Sequence, residues 1–187
     1  MQTFLALIAS FLLGSIPTAY IVVKFQQQKD IRQMGSGNVG SMNVRDQLGY
    51  KPAIIVLLVD AAKGAAAVGL GSFLGADPGL CLAAAVAGHI YPPWLAFKGG
   101  KGLATALGGL LVLWQWPAIL VFVILWVLVY FGVSGQDGDW SNLAGALAIS
   151  AYAVLPGPHW GLIIMGLVIA LKHFMVIKSR TGTGNEV

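Results

Sequence analysis

Charge is what this sequence has least of. Only 10% of its 187 residues are Asp, Glu, Lys or Arg, where a soluble globular domain carries about 25%. That shortage excludes an ordinary water-facing surface. Cysteine is reduced to one residue, Cys81, so neither an intramolecular disulfide nor a thiolate metal cluster can form. Within its apolar run Cys81 reads as a small buried hydrophobe. The chain also lacks a basic segment ahead of its first apolar run, residues 3–23, which is longer than the roughly 7–15 residues of a signal-peptide core. This run is expected to stay attached and span a membrane. No clear internal repeat is visible, which argues against an inverted-repeat transporter.

What the chain has instead is apolar length. It is 57% hydrophobic with a mean hydropathy of +0.80, the composition of an integral membrane protein. The net charge of +4 does not point to nucleic acid, because the basic residues sit between apolar runs rather than along one stripe. Seven such runs, 3–23, 52–74, 80–97, 103–114, 118–131, 141–155 and 161–171, predict a single all-α domain over residues 1–187 with seven transmembrane helices. The fourth is short, about 18 Å at 1.5 Å per residue. It spans only if the loop before it dips below the headgroups, buried in protein. Of the eleven Lys and Arg, all but Lys63 lie after the first or third run, just before the second, or in the C-terminal tail. The loops near 75–79, 114–117 and 156–160 carry none. The positive-inside rule then puts the N-terminus outside and the C-terminus in the cytoplasm. Four polar segments share the cytoplasmic face: residues 24–51, the loop before the fourth run, residues 132–140 and the tail.

Chemistry concentrates in two of those segments. In Lys98-Gly99-Gly100-Lys101-Gly102, glycines allow backbone N–H groups to approach a ligand, and a helix starting near Leu103 aims its positive end at the same place. A phosphate suits that arrangement; the alternative is a basic turn at the membrane boundary. In the first loop, Gly35, Gly37 and Gly40 alternate with Ser36, Asn38, Ser41, Asn43 and Arg45, a set of donors able to wrap an oxyanion or polyol, or else a flexible linker. Asp60 and Lys63 lie three apart on one helical face inside the second run, and His89 sits at matching depth in the third. Together they read as a polar clamp or as a path for substrate or protons. Lys172 and His173 at the inner end of the last run suit an anion site or simple membrane anchoring. His159 reads as a boundary residue.

The strings GSGNVGSMN, VDAAKG and above all AGHIYPPWLAFKGGKGLATALGGLL resemble the acyl-phosphate-dependent glycerol-3-phosphate acyltransferases of bacteria, the PlsY family. The resemblance implies a seven-helix enzyme of the bacterial inner membrane with its active site facing the cytoplasm. It implies acyl transfer from acyl phosphate to the 1-hydroxyl of glycerol 3-phosphate, giving lysophosphatidic acid for phospholipid synthesis. It implies no cofactor and no metal, membrane lipids as partners beside the two substrates, and a monomer. By the same resemblance Ser36, Lys101, His173 and Arg45 carry catalysis. Asn38, Asn43, Lys98, Gly99, Gly100, Gly102, Thr105 and Asn142 bind substrate. The chain departs from the family pattern where Asp46 occupies an arginine position, with Arg45 one place earlier, and where Met175 and Val176 replace an acidic residue and an asparagine. Glu186 stands near the place of a C-terminal glutamate. A membrane carrier or binder of organic phosphates, or a degenerate homologue with little turnover, is the alternative reading.

Overall fold

Each of the apolar runs forms helix, the conformation in which a segment satisfies its own N–H and C=O groups without water. The computed structural model describes residues 1–135, 137–155 and 159–182. Among them there is no strand. The helices are α1 (Gln2–Gly14), α2 (Thr18–Gln27), α3 (Ser41–Leu48), α4 (Tyr50–Phe73), α5 (Pro78–Ile90), α6 (Leu103–Val112), α7 (Trp116–Gly132), α8 (Gly138–Tyr152) and α9 (Trp160–Gly182). The all-α expectation holds. Three stretches, Gln2–Gln27, Tyr50–Phe73 and Trp160–Thr181, are long and apolar enough to cross a bilayer, and α6 and α7 are shorter apolar helices. Residues 156–158 of the connection expected at 156–160, and Glu186, lie outside the described residues.

Several boundaries differ from the sequence expectation, each for a local reason. The first run is two helices, broken at Ser15-Ile16-Pro17, because Pro17 has no N–H to continue the ladder. The Ile16 carbonyl at the break accepts from Thr18 N–H at 3.0 Å and from Lys63 Nζ at 2.5 Å. The third run stops being helix at Ile90, since Pro92 pushes Tyr91 out of helical conformation. The polar segment 24–51 is not all loop: it contains α3 and a single 3₁₀ turn at Ile31–Gln33. In the other direction α9 runs past the last apolar residues to Gly182, so Lys172, His173, Lys178 and Arg180 ride on a helix and not in a tail. Basic residues in a last turn suit the negative helix end.

Packing relies on small residues. α1 lies on α5 and α4 on α6, while α8 packs on both α7 and α9. Gly14 of α1 sits against the Ala85 backbone and Gly88 of α5 against the Phe11 carbonyl. The same reciprocity joins α4 and α6: Gly64 meets the Thr105 carbonyl and Gly108 the Ala61 carbonyl. Between helices in lipid, such backbone approach is the main source of van der Waals attraction. The largest core cluster, including Leu82, Val86, Ile90, Leu110, Ile149, Met165 and Ile169, joins α5, α6, α8 and α9. A second holds the first polar segment to the bundle through Val23, Ile31, Val44, Val56 and Leu95. Cys81 is buried with Ala6 and Ala76.

The buried Asp60 carboxylate accepts from Lys63 Nζ at 2.6 Å, and His89 Nδ1 lies 3.7 Å from the same oxygen. With Lys63 also bound to the Ile16 carbonyl, the trio joins α4, α5 and the α1–α2 break, the polar-clamp arrangement. Overpacking a glycine contact tests the helix pairing: Gly108→Val should destabilise the folded protein by about 2 kcal/mol. Gly69→Ala, with open space around it, should be neutral or slightly stabilising in the same thermal-unfolding measurement.

Candidate active site

The polar segments gather at one end of the bundle around a cavity of about 710 Å³. Three stretches far apart in sequence supply its wall: Arg32, Ser36, Gly37 and Asn38 from the first segment, Lys98, Gly99 and Lys101 from the glycine-lysine loop, and Lys172, Met175, Val176 and Arg180 from α9. Five cationic side chains, Arg32, Lys98, Lys101, Lys172 and Arg180, face one carboxylate, Asp30. A cavity with that excess of positive charge concentrates anions.

The first segment is shaped from behind by Asn43. Its buried Nδ2 donates to the carbonyls of Ile31, Met34 and Asn38 at 3.3, 3.0 and 3.0 Å, and its Oδ1 accepts from Ser36 N–H at 3.4 Å. Gly35 and Gly37 take the left-handed conformation between these ties. Ser36 Oγ accepts from Asn38 N–H at 3.4 Å, which brings both side chains to the cavity. On the same wall Arg32 is gripped by Asp30, Nη2 to Oδ2 2.6 Å, and its Nη1 donates to Leu95 O at 3.0 Å. The Arg32 guanidinium holds the Asp30 carboxyl below the usual carboxylate range.

The glycine-lysine loop is built differently from the expectation. The N–H groups of Gly99 and Gly100 donate to Ile90 O and His89 O, both at 3.1 Å. These glycines therefore close the C-terminus of α5 and do not present N–H groups to a ligand. A Cβ at Gly100 would strike His89 Nε2 and come within 2.6 Å of Val39 O, so the residue must be small for the loop to lie here. Gly102, at φ 84°, is the N-cap of α6. Like any helix start, α6 leaves its first N–H groups without partners inside the helix.

Lys101 stands between two cavities. It lines the large one and a second, of about 480 Å³, together with Met42, Asp137, Asp139, Asn142 and Arg180. Its ammonium donates to Asp139 Oδ1. His173 Nδ1 lies 2.8 Å from the same oxygen, and Arg180 Nη2 lies 2.6 Å from Oδ2. Asp139 is 3% exposed and His173 fully buried. A carboxylate can only accept, so Nδ1 of His173 carries the proton in this contact.

Of the site residues expected from sequence, Ser36, Asn38, Lys98, Gly99 and Lys101 share the large cavity. Asn43, Gly100 and Gly102 support its wall from behind. Thr105 is buried one turn into α6, with Oγ1 unpartnered among the described residues. His173 lies beneath the wall on Asp139. Asn142 lines the second cavity and accepts from Trp126 Nε1 at 2.9 Å. Arg45 is set apart from both cavities, its Nη2 2.9 Å from Asp46 in a half-exposed pair. Sequence reasoning did not single out Asp139, Arg180, Arg32 or Asp30. An aspartate in the polar loop just before a predicted span, on the face shared with two segments rich in cations, is the available signal for the first.

Fold and site together define an integral membrane protein with a cation-lined cavity at one end of a helical bundle. Residues 4–182 match the glycerol-3-phosphate acyltransferase family. A glycerol-3-phosphate acyltransferase of Synechococcus sp. is 53% identical over 126 residues, 66% of this chain and 62% of the relative. A glycerol-3-phosphate acyltransferase 2 of Dehalococcoides mccartyi is 34% identical across 97% of this chain and 90% of its own length. The crystal structure of PlsY (YgiH), an integral membrane glycerol 3-phosphate acyltransferase, in its glycerol 3-phosphate form superposes with a TM-score of 0.78 at 27% identity, over 100% of this chain and 95% of that one. Its lysophosphatidic acid form gives 0.75. This chain belongs to the glycerol-3-phosphate acyltransferase family.

Two outcomes test the geometry. Gly100→Ala should displace the loop from His89 and Val39 and lower the thermal midpoint by several degrees, about 1–3 kcal/mol. The Asp30–Arg32 pair stabilises the fold while the carboxyl is ionised, and that contribution disappears as pH falls through its depressed pKa. The gap in thermal midpoint between the native chain and Asp30→Asn should therefore be widest near neutrality and close as the pH falls below the usual carboxylate range.

Proposed function

We propose that this chain transfers an acyl group from acyl phosphate to the 1-hydroxyl of glycerol 3-phosphate, giving lysophosphatidic acid and inorganic phosphate. The observation that carries the reading is the convergence of Ser36 and Asn38, Lys98 and Lys101, and Lys172 and Arg180 on one cavity in a chain of this family. Lys98 and Lys101 hold the phosphate of the acceptor. Ser36 and Asn38 act as hydrogen-bonding groups to phosphate or to the carbonyl oxygen, with Ser36 a donor and not a nucleophile.

The donor is a mixed anhydride, already activated, so the protein's task is positioning and charge stabilisation. The acceptor hydroxyl oxygen bonds to the acyl carbonyl carbon, the bond from that carbon to the bridging phosphate oxygen breaks, and the hydroxyl proton passes to the departing phosphate. Negative charge on the carbonyl oxygen and leaving group develops among Lys98, Lys101, Lys172 and Arg180. Arg45, held by Asp46, has no part in this assignment. His173 and Asn142 act from behind Lys101, Thr105 and Gly102 through α6, and Asn43 through the first segment.

In the proposed topology the chain crosses the bacterial inner membrane seven times as a monomer, with the cavity open to the cytoplasm, where the positive-inside rule puts the basic segments. Exposed Ile54, Ile55, Leu58, Leu120, Ile124 and Leu128 give α4 and α7 apolar surfaces toward lipid. The acyl chain approaches from the bilayer. A second reading, a phosphate-binding homologue with little turnover, rests on Met175 and Val176, which put apolar side chains on the cavity wall.

Purified protein given acyl phosphate and labelled glycerol 3-phosphate should release lysophosphatidic acid. Lys101→Ala should lower kcat/KM by about 100-fold or more, and no product above that variant would sink the proposal. A slow native enzyme that accelerates in Val176→Asn would favour the second reading.

A further inference from the structure

We propose that Asp139 is a positioning residue of this site: its carboxylate fixes the tautomer of His173 and keeps Lys101 against the cavity wall until a phosphate dianion displaces it. The inference rests on the acyltransferase reading for its kinetic consequences, but its binding and spectroscopic consequences stand without turnover.

The geometry is specific. Asp139 lies in the first turn of α8, where Asp137 Oδ1 accepts from its N–H at 2.7 Å. It is nearly inaccessible, at 3% exposure, yet it meets partners from two other parts of the chain. Oδ1 accepts from Lys101 Nζ of the glycine-lysine loop and faces His173 Nδ1 of α9 at 2.8 Å. Oδ2 faces Arg180 Nη2 of α9 at 2.6 Å. A buried carboxylate with three cationic or N–H partners is retained at a desolvation cost, and here all three partners belong to the site or its rear wall.

Two effects on the reaction follow, and they have opposite signs. Asp139 is a negative charge beside the ammonium that receives the substrate phosphate, so it competes with that phosphate for Lys101. Removing the charge strengthens anion binding. The second effect concerns His173. Donation from Nδ1 to a carboxylate leaves Nε2 as the other nitrogen, buried and without a hydrogen-bond partner among the described residues. An amide in place of the carboxylate can donate as readily as accept, so it no longer dictates which nitrogen carries the proton. Loss of that orientation slows the chemical step. A residue that only held α8 to α9 would change the amount of folded protein and leave both quantities alone.

The test uses Asp139→Asn and Asp139→Glu in the full-length, detergent-purified protein, with folding checked by thermal midpoint. Calorimetric titration with glycerol 3-phosphate should show Asp139→Asn binding about tenfold more tightly than the native chain, and KM for the acceptor should fall while kcat falls about tenfold or more. Asp139→Glu restores the charge and should move both values back toward native. ¹⁵N-histidine NMR, with His173 assigned by difference from His173→Gln, should show the proton on Nδ1 in the native chain and a mixture in Asp139→Asn. Unchanged binding and an unchanged tautomer in a folded Asp139→Asn protein would overturn the proposal, as would weaker binding. If the native chain shows no acyl transfer, the acyltransferase reading fails while titration and NMR still decide the role of Asp139.

Discussion

A polar group inside an apolar bundle has to find its partner within the protein, and that constraint organises this molecule. Where Pro17 interrupts the first span, the Ile16 carbonyl, left outside the helical ladder, accepts from Lys63 as well as from Thr18 N–H, and the Lys63 charge is in turn balanced by Asp60. Where α5 ends at two prolines, its last carbonyls are met by Gly99 and Gly100. Each repair brings a distant segment to a fixed place. The second of them delivers Lys98 and Lys101 to the cavity, so satisfying α5 and building the anion site are one event.

The electrostatics of the site extend the same logic. Five cations around one cavity repel one another, and the chain answers with carboxylates, Asp30 on the cavity wall and Asp137 and Asp139 beside it. Asp30 grips Arg32 from one side and Asp139 holds Lys101 and Arg180 from the other. The cavity keeps its attraction for anions because these carboxylates do not cancel the whole set. Lys98 and Lys172 complete the wall. The departures at Met175 and Val176 fall on the same wall, where they shape the cavity without adding charge.

Much of this was legible in the sequence because it depends on composition along the chain. Runs of apolar residues announced the helices, and basic residues confined to alternate connections brought together the segments that meet at one end. The depth match of Asp60 and His89 needed only a rise per residue. What escaped was of three kinds. The glycines of the Lys98–Gly102 loop suggest free N–H groups, whereas packing against His89 and Val39 decides the size of Gly100 and the carbonyls of α5 take two of those N–H groups. Asp139 and Lys101 are 38 positions apart, and no periodicity links a span start to a loop two helices earlier. Helix α9 outran its apolar stretch because its terminal basic residues favour the helix end electrostatically, a signal that hydropathy does not register.

Asn43 carries a consequence of a different kind. Its amide offers hydrogens to three carbonyls and an oxygen to Ser36 N–H, so the two ends of an almost symmetric group are not interchangeable here. Aspartate and leucine have nearly its shape and neither can stand in for it: one would turn a second oxygen toward three carbonyl oxygens, the other would offer them nothing. The curvature of the segment that brings Ser36 to the cavity is thus maintained by the polarity of one side chain, and volume alone cannot substitute for it.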